Sequence, residues 1–579
     1  MRKALFGLAA LALTWPCAAQ VRNPDTFVYA LAGEIDSLDP HWQFDGLSHE
    51  VQFQVYETLV FYAGSSLDKF EPLLALKVPS RKNGLISEDG RTYSFPIRKG
   101  VKFHDGAALT EEDVKYSLMR FLLMDRSGGG SFLLLEPVLG VTSTEGPGGK
   151  PIDDLYRQAD KAVRALNGAV SLSLKKPYAP LLSILATVCP IVSKAYVVKH
   201  GGWDGTEATW LKFRNQSKQD ATLYERGAGT GPFKIERWDK ENKQLILSRF
   251  DGYWRGKAKL AHVVYKTVNE TTTRKLMLQA GDADAIMIER QFLPQVASLP
   301  GVSVLDDQPL LEIHNVFVPT FKINPQANPY IGSGKLDGQG IPPDFFADVN
   351  VRQGFAQSFD YDAYIRDGYR GKGARARGPI PKGVFGHNPN QPLWEFSPEK
   401  AAAAFKKAFG GRLWDKGFTM TVVYMEGRAD RQLACQIMKK NVEALNPKFK
   451  VDVRGLQWST MLDAFSASKL PLINGRWVLD FPDAHNAVFA FLNSEGYYAK
   501  AQGYSNPKAD ALIEAARGEL DLKKRRAQYR ELQKIAHDDV PQIYTLDTYN
   551  VEVLRSWVKG WYYNPIVLYG YLYPVYKGR

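Results

Sequence analysis

The stretch Gly475–Phe491, GRWVLDFPDAHNAVFAF, opens as a buried strand, Trp477-Val478-Leu479, and sets a carboxylate, Asp480, directly after the apolar run. A turn follows at Pro482-Asp483, and Ala487–Leu492 begins another packed element. A carboxylate at a strand end beside a large aromatic ring can hold one cationic group of a ligand while the ring covers apolar surface. The plainer reading is that Asp480 only caps the next turn, and the local sequence favours it.

Working outward, a strand at Phe418–Tyr424, a helix at Arg431–Leu445 and a strand at Lys450–Val453 lead into this stretch. Strands alternating with helices imply a largely parallel sheet. Beyond it, Asn506-Pro507 opens a helix ending at Gly518, and a second helix, Lys523–His537, stops at Asp539-Val540-Pro541. The aromatic tail Trp557–Tyr576 is expected to pack back on the first strands.

The N-terminal half has its own pattern. Thr26–Asp39 is an alternating strand running into a turn and a polar loop, and Val51–Phe61 carries apolar residues at helical spacing. Tyr93, Phe95 and Ile97 alternate as a half-buried strand, and Thr110 with Asp113 forms a capping box before a helix. Gly128–Gly149 is glycine-rich and reads as a loop. Gly227–Asp284 holds three strands and a helix closed by Gly281. The run Gly227-Ala228-Gly229-Thr230-Gly231 lacks phosphate-loop spacing and precedes a strand, so it is not a nucleotide loop. Residues 348–409 are helical with loops and include the short basic loop Arg370–Arg377.

Length and composition set the outer bounds. The chain has 579 residues, 45% hydrophobic and 23% charged, which is enough for several cores in a globular protein. The net charge is +12, or +10 without Arg2 and Lys3. Basic residues are scattered among acids and form no phosphate track, so nucleic acid is not an expected partner.

The first twenty residues have a basic start, an apolar run from Ala4 to Trp15, and Cys17-Ala18-Ala19 before Gln20. This is a secretory signal with cleavage expected after Ala19, leaving a soluble exported protein. The run is too short to span a bilayer, and Trp15-Pro16 is a poor context for lipidation of Cys17. The two remaining cysteines, Cys189 and Cys435, are expected to be buried thiols.

No GxSxG, HExxH or GK[ST] motif is present, and no two histidines lie at close metal-ligand spacing. Neither a metal nor a cofactor is expected. A secreted hydrolase with an unmarked carboxylate pair is the enzymatic alternative.

Several blocks, in order, resemble the family 5 extracellular solute-binding proteins, the peptide/nickel-type receptors of bacterial ABC importers. They are YETLV (Tyr56–Val60), RTYSFPIRKGVKFHDGAALTEEDVKYS, GTGPFKIERW, RFDGYWRGKAKL, AGDADAI (Ala280–Ile286), VRQGFAQSFDYDAYI, GPIPKG, WVLDFPDAHN and YSNPKADALI. The resemblance implies an α/β, two-lobed Venus-flytrap protein of the periplasmic-binding-protein fold with an extra inserted subdomain. Lobe I would comprise residues 20–60, 200–310 and 541–579, with 61–199 inserted, and lobe II residues 311–540. The crossings would fall near Asp306–Glu312 and Tyr544–Tyr549.

In peptide-binding relatives an Asp in a W-x-x-D block grips the ligand's α-amino group. The matching pair here is Trp477 and Asp480, which tips Asp480 toward ligand contact. By position in the fold, Glu34, Trp42, Gly229 and Thr230 are expected on the cleft wall and His485 at its rim. A ligand carboxylate wants an arginine, with Arg476, Arg375 and Arg377 as candidates. The implied protein is a periplasmic, monomeric receptor, not an enzyme. It takes a small solute, most simply a di- or oligopeptide, to an inner-membrane ABC permease and its ATPase subunits. An opine, a sugar, a nickel chelate or haem is the alternative ligand.

Overall fold

The computed structural model describes residues 21–567 and 569–578. The expected secretory leader and the expected cleavage after Ala19 lie outside these residues.

The strand Thr26–Leu31 is the centre of the first sheet. Phe27, Tyr29 and Leu31 pack into the main core, while Ala30 meets Leu278, Ile286 and Val553 on the other side. A strand buried on both faces needs apolar residues at successive positions, and TFVYAL supplies them. It pairs in parallel with Ala285–Ile286 on one edge and His262–Thr267 on the other. The full order is Val302–Pro309, Tyr549–Arg555, Ala285–Ile286, Thr26–Leu31, His262–Thr267, Gln244–Arg249 and Phe233–Asp239.

The second sheet has the order Ala374–Arg375, Leu546–Asp547, Glu312–Pro319, Leu472–Val478, Phe418–Met425 and Phe449–Leu456. Phe418–Met425 is parallel to both of its neighbours, but Glu312–Pro319 runs antiparallel to Leu472–Val478. The sheet is therefore mixed, where strand–helix alternation suggested a mostly parallel one. Alternation describes the run from Phe418 to Val478 correctly but carries no information about strands arriving from the other sheet. A separate aromatic core, including Phe355, Phe405, Phe418 and Phe449, lies under this sheet.

The chain passes between the sheets at two neighbouring places. Val302–Pro309 ends in the first sheet and Glu312–Pro319 begins in the second. Leu546–Asp547 still pairs in the second sheet and Tyr549–Arg555 belongs to the first, so only Thr548 intervenes. Short crossings of this kind are where two lobes bend relative to each other.

A smaller antiparallel sheet, in the order Thr92–Pro96, Ala169–Ser173 and Val163–Leu166, is inserted in the chain between Thr26–Leu31 and the other strands of the first sheet. Its helix Glu111–Met124 starts at the expected capping box, with Thr110 and Asp113 reciprocally bonded. The glycine-rich segment is not all loop: Phe132–Leu139 forms a helix, closed by Gly140. Flanking glycines masked this apolar octapeptide. This region touches the helices beside the second sheet. Arg517 pairs with Glu136 at 2.7 Å, and its carbonyl accepts the Ala179 N–H at 2.7 Å.

The aromatic tail returns to the first sheet as expected, with the Tyr569 ring 5.1 Å from that of Tyr29. Cys189 and Cys435 are unpaired and buried. Among the described residues, no helix is long and apolar enough to cross a membrane.

Candidate functional site

The strand Leu472–Val478 carries Trp477 at its end, and the backbone continues one step further, with the Leu479 N–H bonded to the Leu311 carbonyl. Asp480 then leaves the sheet. The turn behind it is held rigidly. Asp483, not Asp480, caps the helix Ala484–Leu492 by accepting the His485 N–H at 2.8 Å. Asp483 also takes two bonds from Arg525, at 2.7 and 2.8 Å, with both side chains buried. The local capping role is filled by the later acid, which leaves Asp480 free of it.

Asp480 is half-buried and accepts one bond, from the Asn486 amide at 2.8 Å. The Asn486 carbonyl oxygen in turn accepts the Trp477 indole N–H at 2.8 Å. Among the described residues Asp480 forms no ion pair. Burial raises its carboxyl above the ordinary value, and the bond from Asn486 opposes the rise. A carboxylate removed from water without a cation is a site prepared for one.

Asp480 lines a cavity of about 380 Å³ together with Arg476, Trp477, Trp458, Tyr497 and Arg431. Trp458, Val478 and Tyr497 are 50%, 52% and 42% exposed, respectively, and all three face this cavity. Large apolar side chains left open around a single concavity mark a ligand surface. The Trp477 ring packs against those of Tyr497 and Tyr498, with centroids 5.8 and 6.0 Å away.

Of the residues expected from sequence, Asp480, Trp477 and Arg476 are brought together. Arg476 is exposed and approaches Glu312 at 3.5 Å. The others lie elsewhere. Glu34 opens on a separate cavity of about 220 Å³, among Lys218, Lys240 and Lys243. Trp42 is buried, donates its indole N–H to the Gln216 carbonyl at 3.0 Å and stacks under Arg126. Gly229 is a close backbone approach, since a Cβ there would sit 2.1 Å from the Val55 carbonyl oxygen. Thr230 is fully buried and donates to Glu57 at 2.7 Å. His485 is buried, not at a rim. Its ring meets Tyr178 edge-on at 5.8 Å, and burial lowers its pKa to about 3. These four residues are packed in the protein interior.

The basic loop is committed as well. Arg375 and Arg377 donate to the carbonyls of Trp394 and Gln391. Sequence reasoning missed Arg431, Trp458, Tyr497, Tyr498 and Asn486. Asn486 was the one within reach, because it lies six residues beyond Asp480 on the first turn of the next helix.

Two mixed α/β sheets joined by paired short crossings, with an inserted third sheet and an open aromatic cavity at one strand end, define a two-lobed binding protein of the Venus-flytrap class. The chain belongs to the bacterial extracellular solute-binding proteins, family 5, whose middle-region model matches residues 69–499. It is 25% identical to the dipeptide-binding protein of Escherichia coli (strain K12), over 97% of this chain and 96% of the relative. Among solved structures it is similar to HbpA2 from Haemophilus parasuis, with a TM-score of 0.73 at 21% identity, covering 96% of this chain and all of that one. It is also similar to the periplasmic binding protein DppA from Helicobacter pylori in complex with the peptide STSA. That match has a TM-score of 0.67 at 23% identity, covering 96% and 98% of the two chains.

Proposed function

We propose that this protein is the periplasmic receptor of an ABC importer and that it captures a di- or oligopeptide between its lobes for delivery to an inner-membrane permease. The observation that carries the reading is Asp480: a half-buried carboxylate without a cationic partner among the described residues, in an aromatic-walled cavity at the end of a fixed strand. The ligand's α-ammonium supplies the missing charge, and a charge-assisted hydrogen bond repays its desolvation. The names of the E. coli and H. pylori relatives, a dipeptide-binding protein and a peptide complex, support the same ligand class.

Lobe I in this reading is residues 20–60, 200–310 and 549–579, with 61–199 inserted, and lobe II is 311–547; the boundary expected at 540 comes too early, because Leu546–Asp547 still pairs in the second sheet. The leader is removed after Ala19. Contacts to both lobes exist only in the closed state, so ligand shifts the population toward closure. No bond of the ligand is made or broken. Native mass spectrometry of the purified mature protein tests the reading. A series of co-purifying peptides supports it, and a single sugar, opine or metal complex in their place overturns it.

A further inference from the structure

Arg431 lies near the start of the helix Ala429–Leu445 and is 3% exposed. Among the described residues it forms no ion pair, and its buried Nε has no acceptor. The acids nearest to it are bonded elsewhere. Asp430 is claimed by Arg428 at 3.3 Å and by His314 at 3.2 Å. Glu312 faces Arg476 and bonds to His314. Burial pushes the Arg431 guanidinium below its ordinary value, nearby Arg428 and Arg476 push the same way, and Asp430 opposes them without reversing the direction. An arginine does not escape the cost by losing its proton, so a buried and unpaired guanidinium calls for an anion.

Arg431 lines the same cavity as Asp480. One concavity therefore presents an unpaired acid and an unpaired base. Its remaining walls, among them Met461, Phe465, Trp458 and Tyr498, suit the methylenes and planar groups of a side chain. The other arginines considered for a ligand carboxylate are already held, Arg375 and Arg377 by backbone carbonyls and Arg476 by Glu312.

We propose that Arg431 receives a carboxylate carried within one residue of the ligand's ammonium, so that the receptor selects peptides whose first residue is acidic. The proposal rests on the peptide reading above and adds a specificity residue to it. The same chemistry is offered by a γ-glutamyl end, where the α-carboxylate itself sits beside the ammonium.

Titration calorimetry of the mature protein with Glu-Ala, Gln-Ala, γ-Glu-Ala and Ala-Ala separates these cases. Glu-Ala is expected to bind about tenfold or more tighter than its neutral isostere Gln-Ala. In Arg431→Gln the ratio of Glu-Ala to Gln-Ala affinity collapses to within roughly threefold. Tighter binding of γ-Glu-Ala than of Glu-Ala also supports the anion site and assigns the α-carboxylate to it. Equal binding of all four peptides, each still weakened by Asp480→Asn, overturns the role of Arg431 and leaves the peptide reading intact. No binding by any of them overturns both. The comparison of Glu-Ala with Gln-Ala on the wild-type chain decides the matter even where Arg431→Gln does not fold.

Discussion

The Asp480 carboxylate and the Trp477 indole are joined through a single amide, that of Asn486, which donates to the acid and accepts from the ring, each at 2.8 Å. The acid is thereby aimed and the ring fixed by the same side chain. Each can swing only by breaking its bond to that amide. Preorganisation of this kind lowers the ordering cost of binding.

Removing the charge tests the acid directly. Asp480→Asn is expected to lose peptide affinity by more than tenfold, about 1.4 kcal/mol or more, in titration calorimetry. An unchanged dissociation constant would take Asp480 out of the site.

Acidification should mimic that variant. Only the ionised carboxylate pairs with an ammonium, and burial raises the Asp480 carboxyl in the empty protein. Affinity is therefore fully present above its raised pKa and lost as pH falls through it. The loss begins at a higher pH than an ordinary aspartate allows, and it disappears in Asp480→Asn. Calorimetry across acidic pH reads both.

The bridging amide should matter to a smaller degree. Asn486→Ala leaves the indole N–H and the carboxylate each short of one partner. A typical hydrogen bond contributes about 1 kcal/mol, so a roughly fivefold loss of affinity is expected. Affinity equal to wild type would mean that Asn486 is packing alone.

Stability should carry its own pH signature at Glu50. This buried carboxyl is pushed up to about 8 by desolvation, against bonds from the Tyr569 N–H and the Gln54 amide. Between its ordinary 4.5 and about 8, the folded chain keeps a proton that the unfolded chain releases. Its contribution to stability therefore declines as pH rises through that window. Glu50→Gln, which keeps the shape without the charge, should melt higher than wild type at the top of the window and lose that advantage at the bottom. Melting curves separated by the same interval at both ends would contradict this.

The anchor between the first loop and the inserted region should be costly to break. Asp39 and Arg120, both buried, share two bonds at 2.9 and 2.5 Å. Arg120→Met strands a buried carboxylate and should cost about 3–5 kcal/mol in urea unfolding. Adding Asp39→Asn should recover part of that loss. A cost below about 1 kcal/mol for the single variant would show that water reaches the pair.

Much of this site was legible in the chain. Trp477 and Asp480 stand out because an apolar strand ending on an acid is a local pattern. The capping box at Thr110 and the helix stop at Gly281 are local too. Trp42, Gly229, Thr230 and His485 were misplaced because polar, small or aromatic residues near a turn look alike whether they face a cleft or the interior. The Gly229 backbone is shielded by Val55 and Tyr56, which lie over 170 residues earlier, and no local signal reports that.

By itself the sequence determined the family pattern, the parallel run from Phe418 to Val478, helix ends such as Thr110 and Gly281, and the acid that follows the tryptophan. Each of these depends on neighbours a few residues apart, within reach of periodicity and capping. Only the tertiary structure decided that Asp483 takes the capping bond, that Asn486 ties acid to ring, and that Arg431 stands unpaired in the same cavity. Those facts concern which charges are already satisfied, and satisfaction depends on side chains that folding brings in from distant segments.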